Sequence, residues 1–188
     1  MTKAHIYIIV FLFVLFLIGY KWTKIAAWLL PKSGYGLVSR DFRASDAFAN
    51  HRGIRNNNPG NLKQSNPRQG WIGAVRNPSD ATFEQFELYV YGVRAMVKLI
   101  RNKVQNGLNT PEKLIGDPQQ GWAPAQVDNN STEAYIDFVA DEAGMQPDSL
   151  IDASDKQLLW RISSAVEQFE NGVKVMTYQE FENAWRLL

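Results

Sequence analysis

The stretch YVYGVRAMVKLIRNKVQNG, residues 89–107, carries the clearest structural pattern in this chain. Along it, apolar residues recur at steps of three and four positions, which is the spacing of one face of an α-helix: Val90, Val93, Val97, Ile100 and Val104. Gly107 marks the expected end of this helix, because glycine commonly follows the last helical residue. The stretch predicts a long helix with one buried face.

Four further helix starts follow toward the C-terminus. Thr110-Pro111 pairs a capping residue with proline at the first helical position. Asn130 or Ser131 is expected to cap a helix that runs to Gly144, and Ser154–Gln157 reads as a capping box for a helix closed by Asn171-Gly172. Thr177–Glu180 is a second capping box. The sequence therefore predicts a mainly α-helical domain.

The region before residue 89 is less regular. Residues 53–77 are rich in Asn, Gly, Pro and Arg, a composition that favours turns. Trp71–Val75 and Thr82–Phe86 are expected to pair as a small β-hairpin across the turn at Asn77–Asp80. Arg40–Asn50 is expected to form a short helix.

Composition excludes several function classes. The 188 residues contain no cysteine and two histidines, so thiolate zinc sites, cysteine nucleophiles and histidine-rich metal sites are excluded or disfavoured. Residues 33–103 carry eleven Lys or Arg against five acids, whereas residues 104–188 carry five against fourteen. The arginines of the basic half are interleaved with Asn, Gly and Pro and form no basic helix, so nucleic-acid binding is disfavoured.

The N-terminus reads as a membrane anchor. Residues 6–18, IYIIVFLFVLFLI, are apolar apart from one tyrosine hydroxyl, and residues 4–20 approach the length of a spanning helix. A cleaved signal peptide is the rival interpretation, weakened by the lone Lys3 before the apolar run. We expect an anchor at 1–30, a linker at 31–36 and a domain at 37–188. Lysines after the segment favour an interior location for that domain.

The densest polar cluster is HRGIRNNNPGNL, residues 51–62. Asparagine amides both donate and accept hydrogen bonds, so they can read the hydroxyl and N-acetyl groups of a sugar. The alternative is a rigid loop in which the asparagines satisfy the backbone through local turns. From the residues alone, both interpretations stay open.

Two other places could supply a carboxylate. Glu84 stands between Phe83 and Phe86, and a carboxylic acid in apolar surroundings can remain protonated and act as a general acid. Asp128 lies among polar residues between two rings that could stack on sugars, Trp122 and Tyr135. The competing interpretations are a solvent-facing glutamate on a strand and a helix-capping aspartate.

Several of these strings together resemble a recurrent bacteriophage family. RGIRNNNPGNL (52–62), FEQF (83–86), YGVRAM (91–96), DNNSTEAYI (128–136) and FENG (169–172) carry the resemblance, which spans about residues 51–172. These domains are described as virion structural or lytic proteins and are similar to the muralytic enzyme of enveloped double-stranded RNA phages. The resemblance implies a compact, lysozyme-like helical domain that cuts peptidoglycan glycan strands as a muramidase or lytic transglycosylase.

Chemistry then assigns roles within that expectation. Glycan cleavage needs one acid for the leaving oxygen, and hydrolysis needs a second carboxylate. We predict Glu84 as acid, Asp128 as its partner and Glu133 as a reserve. The predicted substrate-binding residues are Arg52, Arg55, Asn57, Asn58, Asn61, Trp122, Asn129 and Tyr135.

The sequence predicts no cofactor and no metal, because it has neither a ligand cluster nor a phosphate-binding glycine loop. The expected partners are peptidoglycan, the bilayer of a virion or host inner membrane, and other virion proteins. A virion structural protein that binds glycan without cleaving it is the alternative.

Overall fold

The computed structural model describes residues 39–124 and 131–188, which belong to one compact unit, Ser39–Leu188. This part of the chain is mainly α-helical, as the apolar spacing predicted. One turn of 3-10 helix at Asp46–Phe48 precedes the α-helices. The described α-helices are α1 (Arg52–Arg55), α2 (Tyr89–Gln105), α3 (Pro111–Gly116), α4 (Thr132–Ala143), α5 (Lys156–Asn171) and α6 (Tyr178–Trp185).

The last four α-helices begin at side-chain caps, three of them at the residues that the sequence indicates, whereas α1 and α2 begin without a side-chain cap. Thr110 accepts a hydrogen bond from Lys113 N, and Ser131 accepts one from Ala134 N. Both halves of the capping box at Thr177 are present. The predicted box at Ser154 is wrong by one residue, since Asp155 caps α5 by accepting from Leu158 N at 2.9 Å.

Helix α2 lies at the centre of the domain. Val93, Met96 and Ile100 on its inner face are fully buried. It packs against α5 and α6, while α4 packs against α3 and α5. Burial of each such side chain contributes about 1.5–3 kcal/mol to the free energy of folding, so this face of α2 stabilises the fold.

The prediction of a helix at Arg40–Asn50 is wrong beyond the single 3-10 turn. Bonds to side chains engage backbone N–H groups at the start of this segment. Phe42 N donates to the Asn57 side chain at 2.9 Å, and the Asp41 carboxylate accepts from Arg43 N at 3.0 Å. The segment instead follows a series of turns, with backbone bonds such as Ser45 N to Phe42 O and His51 N to Phe48 O.

The predicted β-hairpin is likewise reduced to isolated bridges. Ala74 pairs with Phe86, while Lys63 pairs with Phe83, both antiparallel. Residues 83–86 thus divide their backbone hydrogen bonds between two neighbouring segments and do not pair along one. No residue in the described ranges forms a regular strand.

Within residues 39–124 and 131–188, no helix is both long enough and apolar enough to cross a bilayer. The predicted anchor at residues 4–20 and the predicted linker at 31–36 lie outside the described residues.

Candidate functional site

A cavity of about 360 Å³ opens beside the end of α5. This volume falls in the range of about 300–1,000 Å³ that is common for small-molecule sites. Its wall combines polar groups with rings and aliphatic side chains. The lining residues are Gly60, Asn61, Leu62, Lys63, Phe83, Leu99, Lys103, Gly121, Trp122, Ala123 and Glu170.

Glu170 brings a carboxylate to this wall, and three neutral donors hold it. Its Oε1 accepts from Trp122 Nε1 at 3.1 Å and from the Tyr135 hydroxyl at 3.0 Å. Its Oε2 accepts from Asn61 Nδ2 at 3.1 Å. Asn61 lies in the segment after α1, Trp122 lies in the loop after α3, and Tyr135 lies on α4. The carboxylate is therefore fixed by parts of the chain that are far apart in sequence.

Each of these side chains is positioned by the local fold. Tyr135 lies on the buried face of α4, and its ring stacks on Phe169 with centroids 3.8 Å apart. Trp122 is held through its backbone, because Trp122 N donates to Leu114 O at 2.8 Å. Gly172 ends α5 with φ 67°, a left-handed conformation that glycine adopts readily. The helix therefore ends at Asn171, one residue after Glu170.

The third donor, Asn61, is positioned by its close contact with the backbone of Gly53. The amide oxygens of Asn61 and Asn171 both lie against Gly53 of α1, where an added Cβ would be 2.6 and 2.2 Å from them. The Asn171 amide nitrogen donates to Pro59 O at 2.7 Å. Only glycine fits at position 53 without moving these amides. The RGIRNNNPGN string thus supports the cavity by clamping α1 to the end of α5.

The electrostatics of the cavity centre on Glu170. Burial, followed by the charge and hydrogen bond of Glu170, raises the pKa of Tyr135 well above its ordinary value. The Tyr135 hydroxyl therefore keeps its proton and remains a donor. Lys63 and Lys103 line the same cavity. A fixed carboxylate among rings, amides and ammonium groups suits the binding of a polyhydroxylated ligand and the transfer of one proton.

Comparison with known proteins identifies the relatives of this chain. Protein P5 of Pseudoalteromonas phage PM2 is 35% identical over 136 residues, which cover 71% of this chain and 79% of that protein. The chain belongs to the family of phage PM2 Protein P5. None of the protein-family models matches the chain.

The asparagine cluster at 56–58 supports the cavity but does not line it. Asn57 and Asn58 are both fully buried. The Asn57 amide bonds to Phe42 N and Phe86 O, and the Asn58 amide bonds to Leu62 N, Leu62 O and Glu84 O. Backbone groups engage both amides, and the role of these two asparagines as substrate ligands stays a prediction. Asn61 is the asparagine of the string that reaches the cavity.

The two arginines predicted to bind substrate have other surroundings. Arg52 pairs with Asp80, with its Nε 2.7 Å from Oδ2, and its guanidinium lies 4.2 Å over the Phe83 ring. Arg55 donates to Ala49 O at 2.6 Å and lines a separate pocket of about 220 Å³. Neither arginine lines the cavity of Glu170. Arg52 contacts Phe83, which does line it.

The predicted catalytic carboxylates are not among the described residues that line the cavity. Glu84 is fully buried and forms an ion pair with Arg68. Glu133 is exposed in the first turn of α4. Asp128 and Asn129 lie outside the described residues. Burial and the Arg68 guanidinium keep the Glu84 carboxylate away from the cavity lining, and its role as catalytic acid stays a prediction.

Sequence reasoning missed Glu170. A signal was available, because Glu170 continues the buried face of α5 at four residues from Val166 and eight from Ile162. A carboxylate in such an apolar stripe is unusual unless it is bonded or functional. Within the described ranges, no group of three His, Asp or Glu side chains is arranged to hold a metal ion.

Proposed function

We propose that this protein is a membrane-anchored phage enzyme that cleaves the glycan strands of peptidoglycan, with Glu170 as its catalytic acid. The observation that carries the proposal is the carboxylate of Glu170 on the cavity wall, held by Trp122, Tyr135 and Asn61. Family membership with a phage protein supports a phage setting. The lysozyme-like class of the domain belongs to the same proposal.

The proposed reaction is that of a lytic transglycosylase. The Glu170 carboxyl group gives its proton to the glycosidic oxygen as the bond to the anomeric carbon breaks. The 6-hydroxyl of the same sugar then attacks that carbon and returns its proton to the Glu170 carboxylate, leaving a 1,6-anhydro end. This sequence needs one carboxyl group, whereas hydrolysis needs a second about 5 Å or 6.5–9.5 Å away. Glu170 is the one carboxylate among the described lining residues.

The remaining wall suits a sugar chain. The Trp122 and Phe83 rings offer apolar surfaces for the carbon faces of sugar rings, and the Asn61 amide lies beside the carboxylate. The apolar run at residues 6–18 would hold the enzyme at a bilayer, in the virion or in the host inner membrane, at infection or at lysis.

Product analysis tests the proposal. The full chain in detergent is incubated with purified Gram-negative peptidoglycan, beside Glu170→Gln and, as a matched control, Glu133→Gln on the exposed face of α4. We expect 1,6-anhydro muropeptides from the native chain and from Glu133→Gln. Removal of the general acid should lower the rate of Glu170→Gln by about 10²–10⁴-fold. Full activity in Glu170→Gln would refute the assignment, and reducing ends would indicate a muramidase.

A second candidate function is a virion protein that binds glycan without cleaving it. The observation in its favour is that three donors already engage Glu170, which favours the ionised carboxylate over the proton-bearing acid. In that case the folded chain would sediment with peptidoglycan and release no fragment. Glu170→Gln would then weaken sedimentation and change nothing else.

A further inference from the structure

Lys103 places an ammonium group at the wall of the same cavity, on the last turn of α2. Its Nζ donates to the backbone carbonyl of Gln120. No carboxylate in residues 39–124 or 131–188 forms an ion pair with it. The side chain is half-buried, and burial lowers its pKa, although the charge of Asp117 opposes this shift in part.

A partly desolvated ammonium without an ion-pair partner is costly, because the protein replaces water only in part. An ammonium group has three N–H donors, and the Gln120 carbonyl takes one of them. Lys63 adds a second cation to the lining, against the single anion Glu170. The described wall therefore has an excess of positive charge. An acidic glycan could form an ion pair with that charge, whereas a neutral glycan could not.

We propose that Lys103 binds a carboxylate substituent of the glycan, so that the cavity selects sugars carrying an acidic side chain over neutral N-acetylglucosamine polymers. This inference rests on the proposed function and names the substrate class of that same site. In peptidoglycan the acidic groups belong to the peptide attached to N-acetylmuramic acid. Lys103 acts in recognition only, because the proton transfer belongs to Glu170.

Binding measurements on the full chain in detergent test this inference by calorimetry. The acidic probe is the disaccharide N-acetylglucosaminyl-N-acetylmuramic acid with its stem peptide, and the neutral probe is chitobiose. Lys103→Met should weaken binding of the acidic disaccharide about tenfold, the usual effect of losing a charge-assisted hydrogen bond. Chitobiose binding should change less than twofold. Lys98→Met, on the same helix but outside the cavity lining, is the matched control.

A second test changes the ligand and not the protein, so it does not depend on the folding of the Lys103→Met variant. The native chain should bind the disaccharide-peptide with amidated carboxyl groups as weakly as Lys103→Met binds the acid, and Lys103→Arg should keep the preference. Equal binding of the amidated and acidic probes, or an equal loss of both ligands in Lys103→Met, would overturn the inference and leave the proposed function standing. Binding of neither disaccharide to the native chain would overturn both.

Discussion

Deletion of one hydroxyl group, in Tyr135→Phe, tests whether the donors around Glu170 form the working site. Tyr135 is 1% exposed, and its ring stacks on Phe169, so phenylalanine fills the same space. The change removes the 3.0 Å hydrogen bond to Glu170 Oε1, while Trp122 still donates to that oxygen. A hydrogen bond to a charged group contributes about 1.5–3 kcal/mol. Because one donor remains, we expect the lower value of ~1.5 kcal/mol.

That energy has two measurable consequences. If Tyr135 orients the catalytic carboxylate, ~1.5 kcal/mol lowers the rate of glycan cleavage about tenfold. The thermal midpoint should fall by about 3–6 °C, at about 2–4 °C per kcal/mol for a domain of this size. Because the lost donor stabilised the ionised carboxylate, Glu170 should keep its proton to higher pH, and the alkaline limb of the pH–rate profile should move to higher pH.

The assays are turnover of purified peptidoglycan across pH and a thermal melt of the same samples. Tyr178→Phe is the matched control, since its hydroxyl is also bonded to a carboxylate, that of Glu182, but lies outside the cavity. Tyr178→Phe should retain the native pH profile. A Tyr135→Phe enzyme with native rate and native pH profile, whatever its melting temperature, would refute the assigned role of this donor.

Three further predictions concern the structure that supports the site. Gly53→Ala should lower the free energy of unfolding by about 1–3 kcal/mol and lower activity, because its Cβ would displace the Asn61 amide; Gly70→Ala, with open space around it, should change stability by less than about 0.5 kcal/mol in the same urea titration. Arg68→Met should cost about 3 kcal/mol by leaving the fully buried Glu84 charge uncompensated, and the double variant Arg68→Met/Glu84→Gln should recover more than half of that loss in denaturant melts; no recovery would contradict the pairing. The hydrogen bond from Arg52, aided by other donors, lowers the pKa of Asp80 below its ordinary value, so the stabilisation from this carboxylate is present above about pH 4 and is lost as pH falls. The difference in unfolding free energy between the native chain and Asp80→Asn should therefore shrink between about pH 4 and pH 2. A constant difference would exclude this linkage.

The helices could be predicted because their signals are local. The spacing of apolar residues along α2 and the capping side chains at Thr110 and Thr177 act within one or two turns of the chain. The box at Thr177 is complete in the structure, with both reciprocal hydrogen bonds. The cap of α5 moved to Asp155 because two adjacent residues, Ser154 and Asp155, were both capable of the same bond.

The irregular half could not be predicted in the same way. Residues 82–87 divide their backbone hydrogen bonds between two segments: Thr82 O and Glu84 N bond to residues 62–64, whereas Gln85 O and Glu87 N bond to residues 73–75. Local spacing does not report this division. The asparagine string carries the same ambiguity, because an amide suits a backbone partner and a ligand equally well. In the structure Asn57 and Asn58 are buried and bond to backbone groups, and no local sequence pattern reports burial.

The sequence by itself determined the helical class, most helix ends and the residue types from which a glycan site could be made, because periodicity and capping are properties of neighbouring residues. Tertiary structure alone decided which carboxylate faces the cavity. Glu84, Glu133 and Glu170 have the same side chain, and they differ in their surroundings: an arginine partner in a buried setting for Glu84, solvent for Glu133, and the donors Trp122, Tyr135 and Asn61 for Glu170. Those three donors come from positions 35 to 109 residues away, so their convergence depends on packing and not on sequence spacing.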